Sequence, residues 1–262
     1  NFRGDTTITR ERAANGHPAA LDVLYWGIGN ESWDCGGRMS PEDYAKAYRR
    51  MEAHLPSFRN AVTLQFVAVG PHGNNPNEAA NWTERVLDEW NRWRTPRVAW
   101  WDAHFYLWAT DGECGSIVEF DAAQTERLFA RAAKLDDLIV QQRALLDDRP
   151  LNGRPPIDLC IGEWGVWHGG GSPTEVRYHG LRDAAVCAAM LDTFHRRADK
   201  VKMANIAQSV NILGAPINVS EKGVVVRSPI WDVFVMYRAH RGGTSVRLET
   251  GDNRVLGSAT VH

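Results

Sequence analysis

Short apolar runs alternate with longer amphipathic segments along most of the chain. The runs that have the length and composition of buried strands lie at residues 23–28, 62–69, 98–105, 157–161 and 201–206. Between them, apolar residues recur at helical spacing in segments that begin near residue 41, span 78–93 and 122–146, and begin again near 181. Strands that alternate with helices are typical of βαβ units. The pattern therefore predicts an α/β fold with a parallel sheet.

Two of the predicted helices start at capping signals. Ser40 can cap the first helix, Pro41 suits its first position, and Asp43 completes the spacing of a capping box. Asp121 and Gln124 repeat this spacing at the start of the third helix. Both signals come directly before apolar residues at helical spacing, so we expect these two starts to be sharply defined.

The two ends of the chain depart from the alternating pattern. Residues 1–15 form a polar stretch, which indicates a loop. Beyond Pro229 a short amphipathic segment leads into pieces at 245–248 and 255–259 in which apolar and polar residues alternate. Such alternation is typical of half-buried strands. We therefore expect an antiparallel β region to start near the end of the chain.

Composition and charge narrow the classes of function. A chain of 262 residues can form one large domain, because α/β barrels reach this size as single units. The net charge of −2 and the isoelectric point of about 6.5 offer no basic field, so neither nucleic acid nor a membrane surface is expected as a partner. The four cysteines are widely spaced, which argues against a zinc site or a disulfide framework. No apolar run reaches the length of a membrane span, about 18 residues.

Two glutamates follow apolar runs that are typical of buried strands. Glu31 ends the run YWGIGNE, and Glu163 lies in the run LCIGEW. A pair of carboxylates delivered from two strand ends is sufficient to cleave a glycosidic bond, one as proton donor and one as nucleophile or base. The sequence therefore predicts a sugar hydrolase. The structural alternative is that Asn30 and Glu31 merely close a strand and cap the following turn.

Three segments, in order along the chain, resemble glycoside hydrolase family 51, the α-L-arabinofuranosidases. They are YWGIGNESWDCGGRMSPEDYAKAYRR at 25–50, GEWGVWH at 162–168 and VKMANIAQSVN at 201–211. The resemblance implies a retaining hydrolase on a (β/α)8 TIM barrel with a β-sandwich behind it. Five strand-helix units do not close such a barrel, which needs eight. On this template residues 1–240 form a partial barrel with strands four to eight, and residues 241–262 begin the C-terminal β-sandwich.

The resemblance assigns roles to the two glutamates. It implies that Glu31 is the acid/base, that Glu163 is the nucleophile and that Asn30 binds the sugar 2-hydroxyl. We expect the carboxyl groups of Glu31 and Glu163 to lie about 5–5.5 Å apart. We also expect the pKa of Glu31 to be raised by partial burial or by its carboxylate neighbour. The family usually shows Asp-Glu-Trp at the nucleophile, whereas here Gly162 precedes Glu163.

Three further residues match positions that line the family's site. The segment HFY at 104–106 matches a His-Tyr-Tyr motif, which implies that Tyr106 is a hydrogen-bond partner of the nucleophile. Trp167 would form an apolar wall of the arabinose subsite and Gln208 would bind a sugar hydroxyl. A lone Tyr or Trp at a strand end also commonly serves packing. No metal or organic cofactor is expected, because two carboxylates suffice for the chemistry.

The implied function is release of terminal α-L-arabinofuranosyl residues from arabinose-containing oligosaccharides or polysaccharides. One alternative is another retaining glycosidase of the same clan, acting on xylan, mannan or glucan. CGGRM at 35–39 and ANIAQ at 204–208 favour the arabinofuranosidase. A second alternative is a truncated half-barrel that binds sugar without cleaving it. The family often forms homo-oligomers, and likeness to bacterial members without export signals implies a cytoplasmic location.

Overall fold

The computed structural model of the chain describes residues 4–55, 63–169, 179–251 and 257–262. Its main sheet has five parallel strands, which are β1 (Tyr25–Ile28), β2 (Gln65–His72), β3 (Trp100–Ala109), β4 (Asp158–His168) and β5 (Val201–Ile206). The strands lie side by side in chain order and form a curled half-barrel with helices. The predicted α/β class and parallel sheet are therefore confirmed.

The helices and the smaller strands complete the fold. The helices are α1 (Thr7–Ala14), α2 (Pro41–His54), α3 (Pro76–Arg92), α4 (Asp111–Cys114), α5 (Ala122–Asp148), α6 (Leu181–Arg196), α7 (Pro229–Tyr237) and a short 3-10 helix at Arg238–His240. Two antiparallel pairs join β6 (Ile217–Val219) to β7 (Val225–Arg227) and β8 (Thr244–Val246) to β9 (Ala259–Val261). The β8–β9 pair confirms the predicted antiparallel strands. Part of their predicted range, residues 255–256, lies outside the described residues.

The five predicted strands all form, but two are longer than predicted. Strand β3 runs to Ala109 and β4 to His168, because the two strands stay paired along this whole length. As a result Glu163 and Trp167 lie inside β4 rather than after it. The predicted start of the second strand, Val62, lies outside the described residues.

Both predicted caps form, but only the one at α5 is a full capping box. At α2 the Asp43 carboxylate accepts the Ser40 hydroxyl at 2.9 Å. Ser40 Oγ accepts the Asp43 N–H at 3.2 Å, and Pro41 occupies the first turn of α2. Asp121 Oδ1 accepts the Gln124 N–H at 2.7 Å, and Gln124 Oε1 accepts the Asp121 N–H at 2.9 Å. These contacts satisfy N–H groups that the first turn of a helix leaves without partners. Both helix starts are confirmed.

The prediction of a loop over residues 1–15 is wrong for Thr7–Ala14, which form α1. Thr6 and Thr9 cap each other: the Thr9 N–H donates to Thr6 Oγ1 at 3.2 Å, and the Thr6 N–H donates to Thr9 Oγ1 at 2.8 Å. The helix buries only Thr9 and has almost no apolar stripe. Hydrophobic periodicity therefore could not reveal it.

The core lies between the sheet and the helices that cover its outer face. Its largest fully buried side chains include Trp90, Trp101 and Trp164. One buried polar contact ties α3 and α5 to β3: Gln142 Oε1 accepts the Thr83 hydroxyl at 2.6 Å and the Trp101 indole N–H at 3.3 Å. Among the described residues, no helix is both long enough and apolar enough to cross a membrane.

Candidate active site

Glu31 projects from a tight turn that follows β1. Its backbone has a φ of +40°, and its carbonyl accepts the N–H groups of Asp34 at 2.8 Å and Gly36 at 3.0 Å. A Cβ at position 36 would lie 1.6 Å from the Asn30 carbonyl oxygen, so only glycine permits this close approach. The turn holds Glu31 half-buried and leaves Asn30 exposed beside it.

Glu163 faces Glu31 from β4. The hydroxyl of Tyr106, on the neighbouring strand β3, donates to Glu163 Oε2 at 2.6 Å. One carboxylate oxygen of Glu31 and one of Glu163 lie within 4.8 Å of each other. Two strands that are distant in sequence thus bring the two carboxylates together at the carboxyl end of the sheet.

His104 lies between the two carboxylates. Its Nδ1 is 3.0 Å from Glu31 Oε1 and 3.7 Å from Glu163 Oε2, and its Nε2 is 3.4 Å from Asp102 Oδ2. Burial opposes protonation of the ring, but hydrogen bonds to Asp102 and Glu31 raise the pKa of His104 to about 10. His104 therefore carries a positive charge between carboxylates at neutral pH.

The expected rise in the pKa of Glu31 is wrong for this structure. The hydrogen bond with His104 lowers the pKa of Glu31 and outweighs the opposing effect of burial. The thiol of Cys35, 3.2 Å from Glu31 Oε2, lowers this pKa further. A second carboxylate does face Glu31, but the ring of His104 lies between the two and reverses the direction of the shift. The spacing of Asp102, His104 and Tyr106 was the available signal, because alternate residues of a strand line one face.

A cavity of about 620 Å³ opens beside the glutamates. Its lining includes Glu31, Trp33, His72, His104, Tyr106 and Trp167. Trp167 stacks on Trp108, also part of the lining, with ring centroids 4.5 Å apart and planes at 19°. A larger cavity of about 700 Å³, bordered by α5, α6 and β8, lies away from both glutamates.

Gln208 lies beyond the end of β5. It is exposed and has a φ of +58°. Its neighbour Ala207 packs in a small apolar cluster with Tyr106, and Trp167 packs against the same cluster. The structure therefore brings the chain at Gln208 to the side of the site formed by Trp167.

Two groups of three described residues hold donor atoms within 4.8 Å of one another. The first is Glu31, His104 and Glu163, where a metal ion would have to displace the contact between His104 and Glu31. The second is the buried group of His168, His179 and Asp183 near the start of α6. There, His168 Nε2 lies 2.9 Å from Asp183 Oδ1, and Asp183 Oδ2 accepts the Gly180 N–H at 3.1 Å. These contacts fix the end of β4 to the start of α6.

Comparison with known proteins connects this geometry to one group of enzymes. The family model for the α-L-arabinofuranosidase C-terminal domain matches residues 162–259. An intracellular exo-α-L-arabinofuranosidase of Bacteroides ovatus is 30% identical, in an alignment that covers 97% of this chain and 49% of that protein. A probable α-L-arabinofuranosidase C of Aspergillus fumigatus is 28% identical and matches 93% of this chain and 48% of its own length.

A solved structure is similar over the same extent. The GH51 arabinofuranosidase of Xanthomonas axonopodis pv. citri superposes with a TM-score of 0.79 at 29% sequence identity. The match covers 98% of this chain and 53% of that one. The chain thus spans about half the length of the relatives it matches.

Proposed function

We propose that this chain, whose resemblance to glycoside hydrolase family 51 is confirmed, is the catalytic portion of a retaining α-L-arabinofuranosidase. The observation that carries the proposal is the pair Glu31 and Glu163, with carboxylate oxygens within 4.8 Å. Retaining glycosidases hold their two carboxyl groups about 5–5.5 Å apart, whereas inverting ones leave about 6.5–9.5 Å for a water molecule. The short separation supports double displacement.

In this mechanism Glu163 is the nucleophile. Its carboxylate attacks the anomeric carbon and forms a glycosyl-enzyme while the glycosidic bond breaks. The Tyr106 hydroxyl, 2.6 Å from Oε2, holds the carboxylate in one orientation. Positioning of this kind lowers the activation free energy, because the carboxylate loses little further orientational entropy on reaching the transition state.

Glu31 is the acid and then the base. In the free protein the shared proton rests on His104, 3.0 Å away, which explains why the pKa of Glu31 is lowered. A bound sugar displaces water, and a drier environment favours the neutral pair over the charged pair. The proton then moves to Glu31, which delivers it to the leaving oxygen. In the second step Glu31 takes a proton from the attacking water.

The remaining assigned residues surround the sugar. Asn30 at the end of β1 would bind the 2-hydroxyl, and Gln208 after β5 would bind another hydroxyl. Trp167 would pack its indole against the apolar face of the ring, supported by Trp108 at 4.5 Å. Arabinose-containing oligosaccharides are the proposed substrates. The Bacteroides relative is named as intracellular, and on that likeness we place the reaction in the cytoplasm.

We also propose that the half-barrel is one part of a complete barrel. Strands β1 to β5 would be strands four to eight of a (β/α)8 barrel, with residues 1–240 in the barrel and 241–262 at the start of a β-sandwich. Strands β1 and β5 are the two edges of the sheet. Strands one to three of the barrel would pair with these edges.

Hydrolysis of p-nitrophenyl α-L-arabinofuranoside by the purified 262-residue chain tests the proposal. We expect selective hydrolysis relative to the xyloside, mannoside and glucoside. Glu163→Gln should lower kcat/KM by at least about 100-fold, as should Glu31→Gln with substrates that have poor leaving groups. Glu126→Gln, a glutamate exposed on α5, is the matched control and should retain activity.

Assays with the same set of nitrophenyl glycosides distinguish the competing functions. Hydrolysis of the xyloside or glucoside alone would move the chain to another glycosidase of the clan. Binding of arabinose oligosaccharides without hydrolysis, in a folded chain, would identify a half-barrel that only binds sugar. Product with inverted configuration at the anomeric carbon, measured by NMR during the reaction, would contradict double displacement.

A further inference from the structure

Asp102 fills the space that a side chain at position 162 would need. A Cβ added to Gly162 would lie 2.1 Å from Asp102 Oδ1 and 2.4 Å from Oδ2. The Gly162 N–H instead donates to Asp102 Oδ1 at 2.6 Å. Family 51 usually places an aspartate directly before the nucleophile, and this chain has glycine there. A carboxylate reaches the same place from the neighbouring strand.

The second oxygen of Asp102 connects this carboxylate to the catalytic pair. Oδ2 lies 3.4 Å from His104 Nε2, while Nδ1 on the opposite side of the ring faces Glu31. With an acceptor at each nitrogen, the ring has one preferred orientation and both nitrogens act as donors. Asp102 itself is anchored to the backbone directly before Glu163.

Further titratable groups surround His104 and the carboxylates that it contacts. Glu31 faces it from the turn after β1, and Glu163 from β4. His72 on β2 lowers the pKa of Glu31 through its charge. The hydroxyl of Tyr106 on β3 donates a hydrogen bond to Glu163. The buried Tyr44 hydroxyl and Cys160 thiol lie near Asp102, whose charge raises the pKa of both beyond the effect of burial.

We propose that Asp102 is a positioning residue that acts on the glutamate pair through His104. It orients the ring through Nε2, so that Nδ1 remains a hydrogen-bond donor to Glu31. This inference rests on the proposed function of Glu31 and Glu163. Asp102 does not touch the substrate and acts only through the ring of His104. Removing its negative charge should let His104 lose its proton at lower pH, which in turn should raise the pKa of Glu31.

The test replaces Asp102 with asparagine, which has the same shape and can still accept the Gly162 N–H. NMR titration of the His104 ring should show that its pKa falls by about 1–3 pH units in Asp102→Asn, the change typical of losing one nearby opposite charge. The alkaline limb of the kcat/KM profile, which reports loss of the proton that His104 and Glu31 share in the free enzyme, should move to lower pH. Asp158→Asn, at the start of β4, is the matched control and should change neither.

Gly162→Ala supplies an independent variant. Its methyl group should displace the Asp102 carboxylate and lower the pKa of His104 without removing any charge from the sequence. Added to Asp102→Ala, where no carboxylate remains to be displaced, it should lower this pKa no further. Such non-additivity is the signature of two changes that act through one contact.

The outcomes separate this inference from the proposed function. An unchanged His104 titration in Asp102→Asn would overturn the role of Asp102, whatever the chain hydrolyses. A lowered His104 pKa with an unmoved alkaline limb, in an active enzyme, would also overturn it. A lowered His104 pKa in a chain that cleaves no glycoside would uphold the arrangement of Asp102 and His104 and would reject the hydrolase.

Discussion

Tyr106 and Glu163 are joined by a hydrogen bond of 2.6 Å between two adjacent parallel strands. Tyr106 is buried, and its ring meets Trp167 edge-on at 5.2 Å, so the hydroxyl has little freedom to point elsewhere. The contact holds one oxygen of the Glu163 carboxylate, the same oxygen that His104 Nδ1 approaches at 3.7 Å.

Tyr106→Phe should lower kcat/KM for p-nitrophenyl α-L-arabinofuranoside by about 10- to 100-fold. A hydrogen bond to a charged group contributes about 1.5–3 kcal/mol, and the ring packing is retained. Tyr237→Phe is the matched control, since that hydroxyl donates to Ala188 and Asp192 outside the site. Equal losses in both variants would argue that the effect is structural.

Trp108 is predicted to contribute to binding of longer substrates. Its indole is 44% exposed and stacks on Trp167. Trp108→Ala should raise KM for an arabinose oligosaccharide by about 3- to 10-fold, because aromatic stacking contributes about 0.5–1.5 kcal/mol. KM for the nitrophenyl substrate should change less. Trp93→Ala, which removes a 70% exposed indole after α3, should leave both values unchanged.

Cys35 should be the thiol that reagents modify first in the folded protein. It is exposed, whereas Cys114, Cys160 and Cys187 are buried. Its hydrogen bond to Glu31 raises the pKa of the thiol, so the reaction with N-ethylmaleimide should be slower than that of a free cysteine. Mass spectrometry should find one label and parallel loss of hydrolysis. Cys35→Ser should resist inactivation, and full activity of the labelled protein would contradict the prediction.

His104 should make the stability of the fold depend on pH. Its folded-state pKa of about 10 exceeds the ordinary value of 6.5, so the folded state binds more protons between these values. The stabilisation is complete below about pH 6.5 and is lost as pH rises through about 10. Urea unfolding of the wild type and His104→Asn should therefore show a difference that narrows from pH 6 to pH 10. A constant difference would mean that the ring is neutral throughout.

Gln142→Leu should destabilise the core by roughly 1–3 kcal/mol for each donor left unsatisfied. The Thr83 hydroxyl and the Trp101 indole both lose their acceptor in this variant. Adding Thr83→Val removes one of these donors and should recover part of the loss. Denaturant unfolding of the two single variants and the double variant measures the coupling.

Much of the fold could be predicted because its central strands, β2, β3 and β4, are mostly buried and contain apolar runs. Strand β4 shows where this signal stops. After Ile161 two glycines and Glu163 interrupt the apolar run, yet the strand continues to His168 through pairing with β3. The sequence alone does not specify this pairing. Helix α1 was missed for the opposite reason, since it rests on a local pair of threonines and has no apolar stripe.

The candidate site was predictable at the residues that carry motif signals. Glu31, Glu163 and Tyr106 were found in this way, and the structure brings them together. The contribution of His104 and Asp102 could not be predicted, because it depends on contacts between residues that are 60 and 73 positions apart in sequence. The charge that His104 carries reverses the expected direction of the Glu31 pKa, and that sign follows only from the assembled geometry.

The positive φ of Glu31 has a consequence for laboratory evolution. A residue other than glycine in this conformation costs about 1 kcal/mol or more, a cost that glycine largely avoids. Libraries sorted by heat resistance alone, at an alkaline pH where the contact with protonated His104 no longer stabilises the fold, should therefore enrich Glu31→Gly. Such a selection would remove the proposed proton donor early and yield variants that are more stable but inactive.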